Sequence, residues 1–290
     1  MINEKMHSRE LGLVLTQQIL GVDDLHYGLW DDDLELKLTN LGMAQQRYTD
    51  LLISALPAAK AYPVRVLDIG CGTGHVLGQL LNAGYLADGL VPSASLAKLV
   101  RKQQDKHPEK PSRLFECRFE DFPVDELAYQ YDVALFCESF QYISMEASFE
   151  ILQKILKPGG KVVICDFFKT LHHGDGGSGD GSFGGGHSMA EFYKKIKESK
   201  FELARDEDIT SRMSPNLQLV NDFLNNTIKP VGLTLNRYLC DNYPKTSWIV
   251  RKLLRKKLDR TNYKYFSGHR CKETFERYKT YHLMECQLRG

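Results

Sequence analysis

The residues best placed to do chemistry lie in Val66-Leu67-Asp68-Ile69-Gly70-Cys71-Gly72-Thr73-Gly74, where an apolar run meets alternating glycines. Glycines spaced in this way allow a backbone to turn tightly and approach a ligand that a Cβ would keep away. A dinucleotide-binding loop has similar glycines. The acidic Asp68 directly before the turn argues against a pyrophosphate and suits a ligand that carries positive charge and no phosphate. A second group follows the run Tyr131–Cys137. It is Glu138 with Gln141 and Tyr142, a carboxylate that can take a proton, bind a cationic amine or hold a cofactor amino group, beside two side chains suited to a pocket wall. A third is His187, just past a glycine-rich stretch and able to act as a base if that stretch closes over a site. His172, His173, Asp175 and Asp180 lie in or beside the same stretch. They lack a rigid spacing such as i, i+4, so no metal site is expected.

These groups need a scaffold, and the chain alternates short β-branched runs with amphipathic ones. Strands are expected at 64–69, 85–90, 113–117, 131–137, 161–167, 201–209 and 278–288, with helices at 76–82, 94–104, 148–156 and 189–199. The alternation predicts an α/β fold, a doubly wound and mainly parallel seven-stranded sheet covered on both faces. Before it, apolar residues at helical spacing predict helices over 4–20 and 34–56, separated by the aromatic loop His26-Tyr27-Gly28-Leu29-Trp30. Residues 174–186 are mostly glycine and are expected to form a flexible loop. Residues 215–258 are helical in pattern and lie between the last two strands, which predicts an inserted cap. The organisation is then an N-terminal segment 1–60, a core of 61–210 and 270–290, and a cap over 211–269.

Val66–Gly74 resembles motif I of class I S-adenosylmethionine (SAM)-dependent methyltransferases, whose fold is Rossmann-like. The later landmarks occur in order along roughly residues 20–200. Arg118-Phe119-Glu120-Asp121-Phe122-Pro123 is similar to the segment that packs on adenine, and Leu156-Lys157-Pro158-Gly159-Gly160-Lys161 to the turn before the fifth strand. The His26–Trp30 loop is similar to that of small-molecule members of the tocopherol, methylglycine and quinone methyltransferase kind, where an aromatic segment closes over the methionine end of SAM. The resemblance implies SAM as cofactor, with Asp68, Gly70, Cys71, Gly72, Gly74, Phe119, Glu120 and Glu138 among its contacts. Tyr27 or Trp30 can face the sulfonium through a cation–π contact, or can anchor the N-terminal segment to the core. One feature departs from the family: Val91 stands where an acid usually binds the ribose hydroxyls. Asp88, three residues earlier, points to the other face of its strand. The acceptor implied is a small, partly apolar metabolite with an oxygen, nitrogen or carbon nucleophile.

The apolar and charged fractions are those of an ordinary soluble globular protein. A net charge of +1 argues against a globally basic nucleic-acid binder, and seven scattered cysteines without a Cys-x-x-Cys pair suit reduced thiols in the cytoplasm. The local exception to this charge balance is Lys245–Arg260, with seven Lys/Arg against one Asp and Trp248 among them. It is either a solvated helix face or a peripheral contact with an anionic membrane.

Overall fold

A computed structural model of the chain describes residues 21–22, 26–59 and 62–289. The expected helix over 4–20 lies outside the described residues. The strands are β1 (Arg65–Ile69), β2 (Leu86–Leu90), β3 (Leu114–Phe115), β4 (Tyr131–Cys137), β5 (Leu156–Lys169), β6 (Phe201–Asp208) and β7 (Lys279–Leu288). They form one seven-stranded sheet in the order β3-β2-β1-β4-β5-β7-β6. The first five strands are parallel, and β7 runs antiparallel between β5 and β6. The sheet grows outward in opposite directions from β1 and β4, so a crevice opens between their carboxyl ends.

The helices are α1 (Leu41–Ser54), α2 (His75–Asn82), α3 (Ala94–Gln104), α4 (Met145–Ile155) and α5 (Met189–Glu198). Between β6 and β7 come α6 (Thr210–Met213), α7 (Pro215–Phe223), α8 (Lys229–Asn242), α9 (Pro244–Thr261) and α10 (Lys272–Tyr278). Strand alternation divides the core into two apolar layers. Val66, Val133 and Leu135 face the layer that holds Tyr48 and Leu77, whereas Leu67, Ala134 and Phe136 face the layer of Phe149 and Phe192. Helix α4 begins three residues before its apolar pattern because the Ser144 hydroxyl accepts the Ala147 N–H at 3.4 Å. Helix α1 begins at Leu41, not Leu34. The preceding segment is held by tertiary bonds: Trp30 N–H donates to the Arg212 carbonyl at 2.8 Å, and Arg212 Nε donates to Asp31 at 2.6 Å.

The glycine-rich segment departs from expectation, because it packs closely against other parts of the protein. A Cβ at Gly179 would lie 2.6 Å from the Thr274 methyl, one at Gly186 3.1 Å from the Phe167 carbonyl, and one at Gly177 would collide with the Tyr278 hydroxyl. Asp180 accepts the N–H groups of Gly174 and Gly176 at 3.0 and 3.3 Å, and Asp175 accepts that of Gly177 while pairing with Arg277 at 2.8 Å. Both aspartates therefore organise the loop.

Candidate active site

A cavity of about 430 Å³ occupies the crevice at the carboxyl ends of β1, β2 and β4. Its floor is the turn that leaves β1. Gly70, Gly72 and Gly74 have φ of 77°, 55° and 80°, the left-handed region that side chains resist. Space imposes the same choice: a Cβ on Gly70 would lie 2.5 Å from the Ser139 Cβ, and one on Gly74 2.9 Å from the Val100 Cα. The N–H groups of Gly70 and Cys71 donate to the Leu90 carbonyl at 2.8 and 3.0 Å. Ser139 donates to the Ile69 carbonyl. These bonds fix the loop after β1 to β2 on one side and to the end of β4 on the other.

Asp68 is fully buried on the cavity wall, and neither carboxylate oxygen has a hydrogen-bond partner among the described residues. Burial pushes its carboxyl up to about 7, with only His26 drawing it back down. An unsatisfied buried carboxylate costs several kcal/mol at the order-of-magnitude level. It is matched by a ligand that brings a cation, as the ammonium of SAM does. Leu90, Val91, Leu96, Phe119 and Ile143 line the cavity as an apolar wall suited to a purine face, and Glu120 lies beside them. The Glu120 carboxylate accepts from Arg118 Nη2 at 3.1 Å and from the Ser144 N–H at 3.4 Å. The residues present therefore fit SAM. Asp88 belongs to the opposite face, where it is fully buried and ion-paired with Arg65 and Arg113 while accepting from the Tyr131 hydroxyl at 2.8 Å.

Glu138 lines the same cavity just past the end of β4, with φ of 51°. Such a conformation costs a non-glycine residue roughly 1–3 kcal/mol. In it the Glu138 N–H reaches the Cys165 carbonyl at 3.0 Å. Its Oε1 accepts from the Tyr27 N–H and the Tyr281 hydroxyl, both at 2.8 Å. The Tyr281 hydroxyl meets that of Tyr48 at 3.0 Å, and Tyr48 also donates to the Cys165 carbonyl at 3.1 Å. Burial raises the Glu138 pKa, while His26 and the two hydrogen bonds offset part of the rise. His26 also lines the cavity, stacks on Tyr48 at 4.4 Å and donates from Nδ1 to the Tyr27 carbonyl at 2.8 Å. Three of these residues, His26, Tyr48 and Tyr281, were not singled out from the sequence. The aromatic loop carries a local signal for His26, although its neighbours Tyr27 and Trp30 are the more obvious candidates. Tyr48 and Tyr281 read as ordinary core positions of a helix and a strand.

The remaining expected site residues divide. Asp68, Gly70, Cys71, Gly72, Phe119, Glu120, Glu138 and Tyr142 line the cavity, and Gly74 ends its floor as the residue before α2. Tyr27 reaches Glu138 through its backbone. Trp30 is buried away from the cavity wall, in a small cluster with Val22, Leu41, Ala44 and Leu219, and its indole N–H donates to Asn216 Oδ1 at 3.3 Å. It anchors the N-terminal segment to α7. Gln141 is held by Asp166, which accepts from its backbone N–H and its side-chain amide, both at 3.0 Å. His187 Nε2 donates to the carbonyls of Phe140 and Ile143 at 3.0 and 2.9 Å. That places its proton on Nε2 and its ring behind the cavity wall, where it clamps the turn after β4.

The sequence and the fold are both similar to those of known proteins. A family model described as a methyltransferase domain matches residues 42–267. The chain is 29% identical over 110 residues to the mitochondrial ubiquinone biosynthesis O-methyltransferase of Mus musculus, covering 37% of this chain and 30% of that protein. It is 27% identical over 109 residues to the sterol 4-C-methyltransferase strm-1 of Caenorhabditis elegans, covering 37% and 32%. The matches thus span about a third of the length of these curated relatives. Among solved structures, geranyl diphosphate C-methyltransferase from Streptomyces coelicolor A3(2) superposes with a TM-score of 0.67 at 16% identity, covering 99% of this chain and 94% of that one. The [4+2]-cyclase SpnF does so with a TM-score of 0.65 at 15% identity, covering 98% and 97%. At these identities the structural likeness shows the fold alone, and a cyclase on the same fold underlines that point. The family model covers more than three-quarters of the sequence and includes the whole β1 turn. The chain belongs to the class I SAM-dependent methyltransferase family.

Proposed function

We propose that this protein transfers the methyl group of SAM to an oxygen, nitrogen or carbon nucleophile of a small, partly apolar metabolite, in a biosynthetic step in the cytoplasm. The observation that carries the reading is one cavity with two different carboxylates. Asp68 lies unpaired on the cavity wall beside the glycine turn, and Glu138, past the end of the neighbouring strand β4, is held by hydrogen bonds. When bound, SAM supplies an electrophilic methyl on a sulfonium, for an in-line displacement that depends mainly on alignment.

The chain's own residues provide that alignment. Asp68 would hold the cationic amino acid end, and the glycine turn would let the backbone lie against the cofactor. Phe119 and Ile143 would enclose the base, with Glu120 at its polar edge. A neutral acceptor must lose a proton, and Glu138 is the base we assign to it. Its raised pKa brings it nearer neutrality, which suits a general base. The Tyr281 hydroxyl, backed by Tyr48, and the Tyr27 N–H fix the carboxylate by donating to Oε1. Tyr142, which is exposed on the cavity rim, would form one wall of the acceptor site. Residues 211–269 would act as a cap on the core of 61–210 and 270–290, and residues 1–60 as the segment that closes over the cofactor. The names of the matched relatives, for ubiquinone and sterol methylation, support an apolar acceptor.

The test is to incubate the purified protein with a metabolite extract and SAM carrying a deuterated methyl group. The expected result is one small apolar product that gains the labelled methyl. Cofactor binding without any labelled product would overturn the transfer reading.

A further inference from the structure

Helices α8 and α9 form an arm that shares little of the core. Neither contains a buried residue, and the two are joined to each other by Arg251 Nη2 donating to Asn236 Oδ1 at 3.1 Å and Ser247 to the Leu239 carbonyl at 2.9 Å. Both ends of the arm pass through π-helical turns, Leu224–Ile228 and Asn262–Phe266, and Lys229 Nζ donates to the Phe266 carbonyl across its base at 2.9 Å. The arm is unusual in two respects. Fourteen of the 20 exposed large apolar side chains among the described residues lie between 229 and 266, so the exposed apolar surface is concentrated there. Leu253 is 77% exposed, and Trp248 and Val231 are each 63% exposed. The same stretch carries ten Lys/Arg against two Asp. The arm therefore has a charge of +8 in a chain of net +1, and everything outside it sums to −7.

A solvated helix needs charge but no such apolar surface. A second copy docked arm to arm would set +8 against +8. A surface that is apolar at depth and anionic at its face satisfies both features. We propose that the α8–α9 arm is an interfacial anchor that seats the protein on the surface of an anionic bilayer. Trp248 carries an amphipathic ring with Lys252 Nζ 5.0 Å over it, a pairing that suits the headgroup level. The base of the arm rests on the glycine loop: Arg270 donates to the Ser182 carbonyl at 3.1 Å and stacks on Phe183 and Tyr265. Seating the arm on a bilayer therefore brings the 174–186 loop and the ends of β4 and β5 close to it. The inference goes beyond the methyl-transfer reading and does not depend on it.

The test is flotation of the full chain with pure phosphatidylcholine vesicles and with phosphatidylcholine–phosphatidylglycerol vesicles. Trp248 fluorescence is followed in parallel, since the other tryptophan, Trp30, is already buried. We expect enrichment on the anionic vesicles only, a blue shift of Trp248, and loss of both at high salt. Charge reversal at Lys252→Glu, Arg255→Glu and Lys256→Glu should weaken partitioning by at least about tenfold. Leu253→Ser should weaken it less. Binding of S-adenosylhomocysteine should be unchanged in each variant, which shows that the fold survives. Absence of anionic enrichment in the folded protein, or binding indifferent to the charge reversals, would overturn the anchor. So would a stable dimer in sedimentation velocity that Leu253→Ser dissociates, since the arm would then be covered by a second copy. Lost cofactor binding with vesicle attachment retained would count against the methyltransferase reading alone.

Discussion

The molecule has two glycine-rich segments, and they use glycine for different purposes. In Gly70–Gly74 the glycines adopt left-handed conformations at the end of a buried strand, and Gly70 and Gly72 line a cavity beside the unpaired carboxylate of Asp68. In Gly174–Gly186 they remove side chains so that the loop can lie against Tyr278, Thr274, Gln141 and Phe167. The first leaves space for a ligand, whereas the second leaves space for the protein itself. Glycine content alone therefore does not identify a binding loop. The preceding strand, the adjacent acid and the face on which the turn opens are what distinguish the two.

If this contrast holds, damage near the first segment should impair chemistry and damage near the second should impair stability. Glu138→Gln should have the largest effect, lowering kcat by about 10²–10⁴-fold with little change in cofactor affinity. Single-turnover kinetics would check this. Asp68→Asn should weaken S-adenosylhomocysteine by about tenfold at pH 8, where the wild-type carboxylate is charged. The pH dependence has a definite sign. Because the Asp68 pKa is raised to about 7 in the free protein, the acid must release a proton to meet the ligand's cation below that pH. Affinity should therefore fall by up to about tenfold per pH unit below 7 and level off above it. Calorimetry across this range should show the slope in the wild type and a flatter curve in Asp68→Asn.

On the other side of the contrast, Gly185→Ala meets Gln141 Oε1 at a φ of 75°. It should destabilise the protein by about 1–3 kcal/mol in urea unfolding and leave cofactor affinity within a factor of about two. His187→Ala should be the mildest, costing about 1 kcal/mol for its two carbonyl contacts. Its pH–rate profile should keep the wild-type midpoints, whereas a catalytic His187 would lose one of them.

β2, β3 and β6 contain no β-branched residue and follow only from the alternation of strand and helix, whereas β1 is legible because it declares itself locally, as a β-branched run between Pro63 and Gly70. The cofactor end was legible for the same reason, since Asp68 to Gly74 is seven consecutive residues. The Glu138 end was not. Tyr281 reaches Glu138 across 143 positions and Tyr48 reaches Tyr281 across 233, and no local pattern encodes such pairings. His187 and Gln141 showed the opposite problem. Their residue types suggested chemistry, but their hydrogen bonds go to backbone carbonyls and to the buried Asp166. Trp30 was ambiguous between cofactor and core, and its partner Asn216 lies 186 residues away.

The most direct test of the account is calorimetric titration of S-adenosylhomocysteine at pH 8 into the wild type, Gly70→Val and Gly185→Ala in parallel. A Cβ at Gly70 would lie 2.5 Å from Ser139 and impose a side chain on a φ of 77°. The account predicts one site per chain in the wild type, retained in Gly185→Ala and weakened by about 100-fold or more in Gly70→Val. No binding to the folded wild type, or binding that survives in Gly70→Val as well as in Gly185→Ala, would contradict it.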